Sequence, residues 1–294
     1  MKDYIIRALD EDKCIRVFIA STTNLVEKAR KIHNTTPTTT AALGRVLTSA
    51  SLMGIMLKGD NDKLTLQFRG NGPVRSILAV ANNNVNVKGY ISDPNVDLPI
   101  RNDGKLDVGG AVGNNGKVIV IRDYGLKEPY VGQSNLVNGE IGEDLTQYFA
   151  ASEQQPSAVS LGVLIDKDLS VKASGGFIVQ VLPNIPEDKL TKLEKTISEI
   201  SSISKYIDDG YKPEDILKEI FSDFNMKVTD TQKVDFSCDC NKERMKEALI
   251  SLGEKEIKEI IQEDEKAELV CHFCNTKYNF KKDELQELIE NMKE

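Results

Sequence analysis

Four of the five cysteines in this 294-residue chain lie near its carboxyl end as two close pairs. One residue separates Cys238 from Cys240, two residues separate Cys271 from Cys274, and residues 241–270 lie between the pairs. Thiolates at these spacings can bind one tetrahedral metal ion, two from each pair, and zinc is the usual occupant. The four cysteines are therefore the candidate metal ligands, and one Zn²⁺ per chain is the expected cofactor.

The other cysteine and the two histidines of the chain do not predict a second metal site or a catalytic site. His272 lies inside the second pair and is a competing ligand, but four sulfurs already complete a tetrahedral shell, so we interpret it as a bystander. Cys14 lies in the strand-like run 14–20, where a buried, inert thiol is the simpler interpretation. No catalytic arrangement of residues is recognisable around His33, and the chain is not expected to be an enzyme.

Composition and charge restrict the function further. A chain of this length with 40% hydrophobic residues predicts about two domains, which excludes a small autonomous zinc finger. The net charge of -8 argues against broad nucleic-acid binding, and acidic residues also outnumber basic ones within 230–294. Charges interrupt the apolar residues of the amino-terminal segment, and no run reaches membrane-spanning length, so a cytoplasmic location without membrane contact is expected. In a reducing compartment, cysteines favour metal binding or redox sensing over permanent disulfides.

Residues 1–182 are predicted to form an α+β domain with a mainly antiparallel sheet. Helical spacing favours a helix over 25–33, capped by Asn24, and a longer one from Pro37 to near Gly59. Alternating apolar residues predict strands at 63–69, 76–81, 85–91 and 117–123. The glycine-rich stretches at 70–72 and 109–116 lack the pattern of a phosphate-binding loop and are interpreted as turns.

A helical linker is predicted over 183–229. Pro186 and two acids begin an amphipathic helix whose apolar stripe runs from Leu190 to Ile207 and which Gly210 ends. A second short helix begins at Pro213.

Residues 230–294 are predicted to form a small zinc-binding domain. Asn241 can cap one helix and another is expected around 257–261, so the segment between the cysteine pairs is folded and can bring them together.

These cysteine spacings resemble the carboxyl-terminal signature of the heat shock protein 33 family of redox-regulated holdase chaperones. Similar motifs extend upstream, at residues 69–75 (RGNGPVR), 131–134 (VGQS), 153–157 (EQQPS) and 175–183 (GGFIVQVLP), so the resemblance covers essentially the whole chain. It implies an ATP-independent chaperone that binds unfolding client proteins under oxidative stress and is a homodimer when oxidised and active.

The same resemblance implies roles for the cysteines. Cys238, Cys240, Cys271 and Cys274 would be the zinc ligands of the reduced, inactive form. Oxidation would release zinc and join Cys238 to Cys240 and Cys271 to Cys274. Since zinc stabilises a small domain by roughly 10–16 kcal/mol and very short disulfide loops do not replace it, we expect oxidation to unfold the domain and expose the linker.

Two other classes of protein remain alternatives. A structural-zinc module could bind RNA or ribosomes, with cysteine oxidation as damage, although the acidic charge weighs against this. A thiol oxidoreductase using Cys271 and Cys274 would need a strand before that pair, whereas the sequence places helices and acids around it.

Overall fold

Runs of alternating apolar residues form two antiparallel sheets in the computed structural model, which describes residues 2–200 and 202–292. The strands are β1 (Tyr4–Leu9), β2 (Ile15–Ser21), β3 (Lys63–Gly70), β4 (Ser76–Asn82), β5 (Asn86–Ile91), β6 (Gly116–Asp123), β7 (Tyr130–Asn135), β8 (Ser157–Ile165), β9 (Val171–Val181), β10 (Lys227–Lys233), β11 (Asp235–Phe236), β12 (Lys266–Val270) and β13 (Lys277–Lys281). The helices are α1 (Thr23–His33), α2 (Pro37–Gly54), α3 (Val108–Val112), α4 (Gly142–Ala151), α5 (Glu187–Ser198), α6 (Ile203–Asp208), α7 (Pro213–Ile220), α8 (Lys242–Ile250), α9 (Glu254–Glu263) and α10 (Lys282–Asn291). The chain is thus α+β, as predicted.

The strand order shows which segments share a sheet. The first sheet has the order β10-β1-β2-β9-β8 and the second the order β11-β5-β4-β3-β6-β7. Every pairing in them is antiparallel except that between β11 and β5. A separate hairpin joins β12 to β13. Both β10 and β11 are edge strands, and they are the last strands before the cysteine segment.

By backbone contacts the chain divides into two compact units, one ending at Ser237 and the other beginning at Cys238. The two large sheets belong to the first unit, whereas α8–α10 and the β12–β13 hairpin form the second. The linker segment predicted at 183–229 falls within the first unit, and its boundaries at 182 and 229 remain predictions. No helix in the described ranges is long and apolar enough to cross a bilayer.

Helix α2 is buried along almost its entire length and packs against both large sheets. Its small residues allow this close approach: a Cβ at Gly44 would meet Val26 Cγ1 at 2.7 Å. The hydroxyls of Thr48 and Thr22 lie 2.7 Å apart, which satisfies two polar groups inside the core.

Several local predictions for the first unit require correction. Helix α1 begins at Thr23, and Asn24 does not cap it; the carboxylate of Asp3 accepts hydrogen bonds from the Leu25 N–H and the Asn24 side chain instead. Helix α2 ends at Gly54 because the next residues form tight turns, and the glycine-rich stretch predicted as turns contains the short helix α3. The strands predicted at 63–69, 76–81 and 117–123 are confirmed, whereas the strand predicted from Val85 starts one residue later, since Val85 has a positive φ of 54°.

The predicted long amphipathic helix is two helices, α5 and α6. The extended backbone of Ser202, with ψ 124°, breaks the helical run, and Ser201 lies outside the described residues. We call α5, α6 and α7 the linker helices. Their apolar side chains pack against β1, β2 and β9, and the buried members are Leu193, Ile203, Ile207, Ile216, Leu217 and Ile220. Phe221, which directly follows α7, is buried in the same core.

Gly175 is needed for the packing of α6 on β9. A Cβ at this position would lie 2.2 Å from Ile207 Cδ1 and 2.3 Å from the Ala20 carbonyl oxygen. We expect Gly175→Ala to lower the free energy of unfolding by about 1–3 kcal/mol, because the backbone of β2 cannot move aside freely. Thermal denaturation measures this, with Gly142→Ala as control, since a Cβ there approaches no atom closer than 3.2 Å. Equal melting temperatures for the two variants would contradict the argument.

Candidate metal centre

Two different local structures position the two cysteine pairs. Cys238 and Cys240 lie in the extended segment between β11 and α8, directly before Asn241. The Asn241 side chain accepts a hydrogen bond from the Arg244 N–H at 2.9 Å, so the predicted cap of α8 is confirmed. This cap fixes where the helix starts and therefore limits the movement of the first pair.

The second pair lies in the turn between β12 and β13. The Cys271 N–H donates to the Thr276 carbonyl at 3.0 Å, and the Asn275 N–H donates to the Cys271 carbonyl at 2.8 Å. Asn275 adopts a left-handed conformation, with φ of 57°, which lets the chain reverse direction within the turn. The sequence-based expectation that helices surround this pair is wrong, because a strand precedes it and another follows it.

The four sulfurs converge on one point. All four Sγ atoms lie within 4.8 Å of one another. The Sγ atoms of Cys238 and Cys271 are 3.7 Å apart, and those of Cys240 and Cys274 are 3.3 Å apart. A tetrahedral ion with metal–sulfur bonds of about 2.3 Å requires sulfur–sulfur distances of about 3.8 Å. The donor set and its spacing therefore fit a four-thiolate metal site.

Neighbouring hydroxyls make the four thiols unequal. The Tyr278 hydroxyl donates to Cys240 Sγ at 3.1 Å, and the Thr276 hydroxyl lies 3.2 Å from Cys274 Sγ. Burial raises the pKa of Cys238 and of Cys240. Burial also opposes ionisation of Cys274, but hydrogen bonds from the Thr276 hydroxyl and backbone outweigh it and lower its pKa to about 7. In the absence of a metal, the pKa of Cys274 is thus shifted in the direction opposite to that of Cys238 and Cys240.

The second unit has only a small apolar core. Its buried hydrophobic side chains are Leu249, Ile257, Phe280, Leu285, Leu288 and Ile289. A unit of this size rarely obtains more than about 3–5 kcal/mol from its core and usually needs a metal or disulfides. Among the contacts around the core is an ion pair between Lys242 and Glu284, whose partners lie 42 residues apart in sequence. Because this core is small, we expect the stability of the second unit to depend on the sulfur cluster as well as on the core.

Other candidate residues lie outside this cluster. His272 is exposed and is not part of the group of close ligand atoms. Cys14 is 3% exposed, in agreement with the prediction that it is buried. Its Sγ lies 3.2 Å from Asp10 Oδ2, and burial together with this carboxylate raises the pKa of the thiol.

Sequence reasoning did not identify two hydroxyl residues beside the sulfur cluster or the lysine that pairs with two acids near Cys14. Tyr278 and Thr276 follow the second cysteine pair closely in sequence. This closeness was the only signal that could have identified their hydroxyls as neighbours of the sulfurs. Lys189 binds Asp10 and Asp12 across 179 and 177 residues of sequence, and no local pattern indicates that contact.

Comparison with known proteins agrees with this arrangement. Residues 3–281 match the family described as Hsp33 protein. A protein named 33 kDa chaperonin from Alkaliphilus metalliredigens is 53% identical over 292 residues, covering 99% of this chain and all of the relative. One of the same name from Agathobacter rectalis is 52% identical and covers 98% of this chain and all of the relative.

A solved structure gives the same result in three dimensions. The crystal structure of the 33 kDa chaperonin (heat shock protein 33 homologue) from Thermotoga maritima superposes with a TM-score of 0.92 at 41% sequence identity, and the match covers 99% of each chain. With the sequence matched nearly from end to end and the whole fold shared, this chain belongs to the Hsp33 family.

Proposed function

We propose that this protein is a redox-regulated, ATP-independent holdase chaperone of the cytoplasm, not an enzyme, that binds unfolding client proteins and prevents their aggregation. The observation that carries the proposal is the four-sulfur cluster in a small unit that has only a small apolar core. The apolar face of the linker helices, which is covered in this state, supplies surface that clients could bind. The names of the relatives support the chaperone class.

Zn²⁺ fits the four thiolates best and, when bound, would supply most of the folding free energy of the second unit, in the range of roughly 10–16 kcal/mol. Cys238, Cys240, Cys271 and Cys274 would hold it. The chain's own contribution is to bring two distant pairs to one point through the α8 cap and the β12–β13 turn.

Oxidation of the ligands would remove this stabilisation. Two thiolates give two electrons to one hydrogen peroxide molecule, which takes up two protons and leaves as two waters, and one sulfur–sulfur bond forms. Two such steps convert all four cysteines into disulfides. Because a disulfide sulfur is a poor zinc ligand, the four cysteines would no longer hold the metal after this oxidation.

Which cysteines pair decides whether the unit unfolds. The Sγ atoms of Cys238 and Cys271 lie 3.7 Å apart and those of Cys240 and Cys274 lie 3.3 Å apart, and disulfides between these partners would close loops of 33 and 34 residues. Such crosslinks would stabilise the folded unit by about 4 kcal/mol each. Disulfides within each pair, Cys238 with Cys240 and Cys271 with Cys274, close very short loops and would stabilise it far less. We therefore propose pairing within each pair as the route that unfolds the unit.

Peptide mapping tests the pairing. After complete oxidation by peroxide, we expect non-reducing digestion and mass spectrometry to recover a peptide with an internal Cys238–Cys240 bond and another with an internal Cys271–Cys274 bond. Disulfide-linked peptides that join residues 238–240 to residues 271–274 would contradict the proposed pairing. Cys14, buried and outside the cluster, should remain a free thiol.

Chain connectivity offers a route from the second unit to the linker helices. One residue separates Cys238 from β11, and one residue separates β11 from β10. Both are edge strands held by one neighbour each. Tension or loss of order at Cys238 would first release β11 from β5 and β10 from β1. Helix α7 is the last α-helix before β10, and only a short 3-10 helix lies between them. Release of α5–α7 would expose Phe177 and the apolar residues of β2 as well as the helices themselves.

We also propose, from the family resemblance, that the oxidised, active form is a homodimer. Sedimentation velocity on reduced and oxidised samples tests this: the oxidised protein should sediment at twice the monomer mass, whereas a monomer at micromolar concentration would exclude it.

An aggregation assay tests the function itself. The protein should suppress light scattering by a thermally unfolding client after treatment with peroxide at mildly raised temperature, and dithiothreitol with zinc should reverse the gain. No ATP is added. If suppression of client aggregation does not change with oxidation, the protein is stabilised by zinc but has no redox switch.

A further inference from the structure

A cavity of about 590 Å³ opens in the first unit, and none of its lining residues belongs to the linker helices. It lies between β2, β9, the end of β6 and the turn that follows α2. The lining residues that matter here are Arg16, Met56, Lys58, Asp62, Arg122 and Glu153. This volume is in the usual range of sites for small molecules.

Arg16 lines this cavity and has no negatively charged partner among the described residues. Its Nε and one terminal nitrogen donate to the Gln180 side-chain carbonyl at 3.1 and 2.7 Å, and Gln180 is itself buried. The guanidinium lies 5.5 Å from the centre of the Phe18 ring, and the guanidinium of Arg7 lies 5.7 Å from the same ring. Burial and the nearby Arg7 charge lower the pKa of Arg16. A half-buried cation whose fixed acceptor is neutral is energetically costly unless an anion joins it.

Both carboxylates that line the cavity already have an ion-pair or hydrogen-bond partner. Glu153 forms a 2.5 Å ion pair with Arg122, with little exposure of either side chain. The Asp62 carboxylate accepts hydrogen bonds from the Gly59 N–H at 2.8 Å and the Lys58 N–H at 3.3 Å. Within the described ranges, no carboxylate forms an ion pair with the side chain of Arg16 or of Lys58. Since three cations and two carboxylates line the cavity, its lining has an excess of one positive charge.

We propose that this cavity is a binding site for a small organic phosphate, whose phosphate group is held by Arg16 and Lys58. A guanidinium can donate two parallel hydrogen bonds to a phosphate, and a lysine supplies a compact second charge. Met56, Leu57 and Tyr124 form an apolar and aromatic wall beside these cations, which suits the organic part of the ligand. The site does not depend on the proposed chaperone function, because it involves no linker or cysteine residue.

Titration calorimetry on the full-length, reduced, zinc-loaded protein tests this proposal. The probes are inorganic phosphate and ribose 5-phosphate, with sodium chloride at the same ionic strength as the blank. We expect saturable binding of both probes, tighter for ribose 5-phosphate because only it contacts the apolar wall. Arg16→Gln should weaken binding about tenfold or more, since it removes two charge-assisted hydrogen bonds. Lys58→Gln should weaken it several-fold.

The matched control is Arg69→Gln, which removes the same charge at an exposed strand position outside the cavity. It should bind both probes like the wild type. Circular dichroism establishes that Arg16→Gln is folded, and the exposed Lys58 gives an independent variant if it is not. Absence of saturable binding to the wild type at millimolar concentrations, or equal affinities for wild type, Arg16→Gln and Lys58→Gln, would overturn the proposal.

Discussion

Replacement of Cys271 by serine should abolish tight zinc binding and unfold residues 238–292, while α2 in the core of the first unit stays folded. Cys271 is the most buried of the four cysteines in the cluster and anchors the turn between β12 and β13. Loss of one ligand removes most of the roughly 10–16 kcal/mol that a structural zinc supplies, and six buried apolar side chains cannot replace it. Hydrogen–deuterium exchange should show full loss of amide protection in α8–α10 and retained protection in α2.

The matched control is Cys14→Ser, the same chemical change at a buried cysteine outside the cluster. It should retain one zinc per chain and normal protection of the second unit. If the proposed coupling holds, Cys271→Ser should also suppress client aggregation without peroxide. Protection of α8–α10 in metal-free Cys271→Ser would show that the small core folds without the metal, and the proposed switch would then lack its driving force.

Replacement of Lys189 by methionine should loosen α5 and give partial chaperone activity in the reduced, zinc-bound state. Lys189 Nζ lies 2.6 Å from Asp10 Oδ2 and 2.7 Å from Asp12 Oδ2, which ties α5 to the β1–β2 turn. The Asp10 side chain is fully buried, so loss of the ammonium leaves an uncompensated charge there. Breaking such a pair costs about 3–5 kcal/mol when it is fully buried, and we expect about 2–4 kcal/mol here because Asp12 is exposed.

The pH dependence of this contact has a definite sign. Burial opposes ionisation of Asp10, but the Lys189 ammonium and the Ile15 N–H outweigh it and lower the pKa of the carboxyl below its usual value. The contribution to stability is therefore fully present above about pH 4 and is lost as the pH falls through the lowered pKa. The difference in stability between wild type and Lys189→Met should shrink over that acidic range.

Amide exchange of α5 and light scattering of an unfolding client measure the effect of Lys189→Met at neutral pH. Lys192→Met is the matched control, since Lys192 lies on the same helix but pairs with Asp223, and both side chains are at least half exposed. Surface pairs of this kind contribute about 0–1 kcal/mol. Lys192→Met should behave like the wild type. Equal protection of α5 in Lys189→Met and wild type would show that apolar packing alone holds the linker helices.

Local sequence signals were sufficient where the determining contacts are local. The spacing of the cysteines, the cap at Asn241 and the alternation in β3, β4 and β6 each depend on neighbouring residues, and the structure contains these elements where they were predicted. The acidic first turn of α5 after Pro186 is another such signal.

The failures have different physical causes. At the start of α1 the Leu25 N–H donates to Asp3, which directly precedes β1, so the pattern at Asn24 was misleading. The break between α5 and α6 interrupts a continuous apolar stripe. Periodicity alone cannot distinguish two successive helices that share one stripe from a single straight helix. The β12–β13 hairpin is a local contact and was missed although apolar and polar residues alternate in both strands, because each strand has only five residues and gives a short signal.

The central claim is that oxidation of the four cysteines unfolds the second unit and thereby releases the linker helices. We would measure zinc release and amide exchange in one sample during treatment with peroxide at mildly raised temperature. The account predicts that zinc loss, loss of protection in α8–α10 and loss of protection in α5–α7 share one time course, and that dithiothreitol with zinc restores all three. Complete zinc release with unchanged protection of α5–α7 would contradict it.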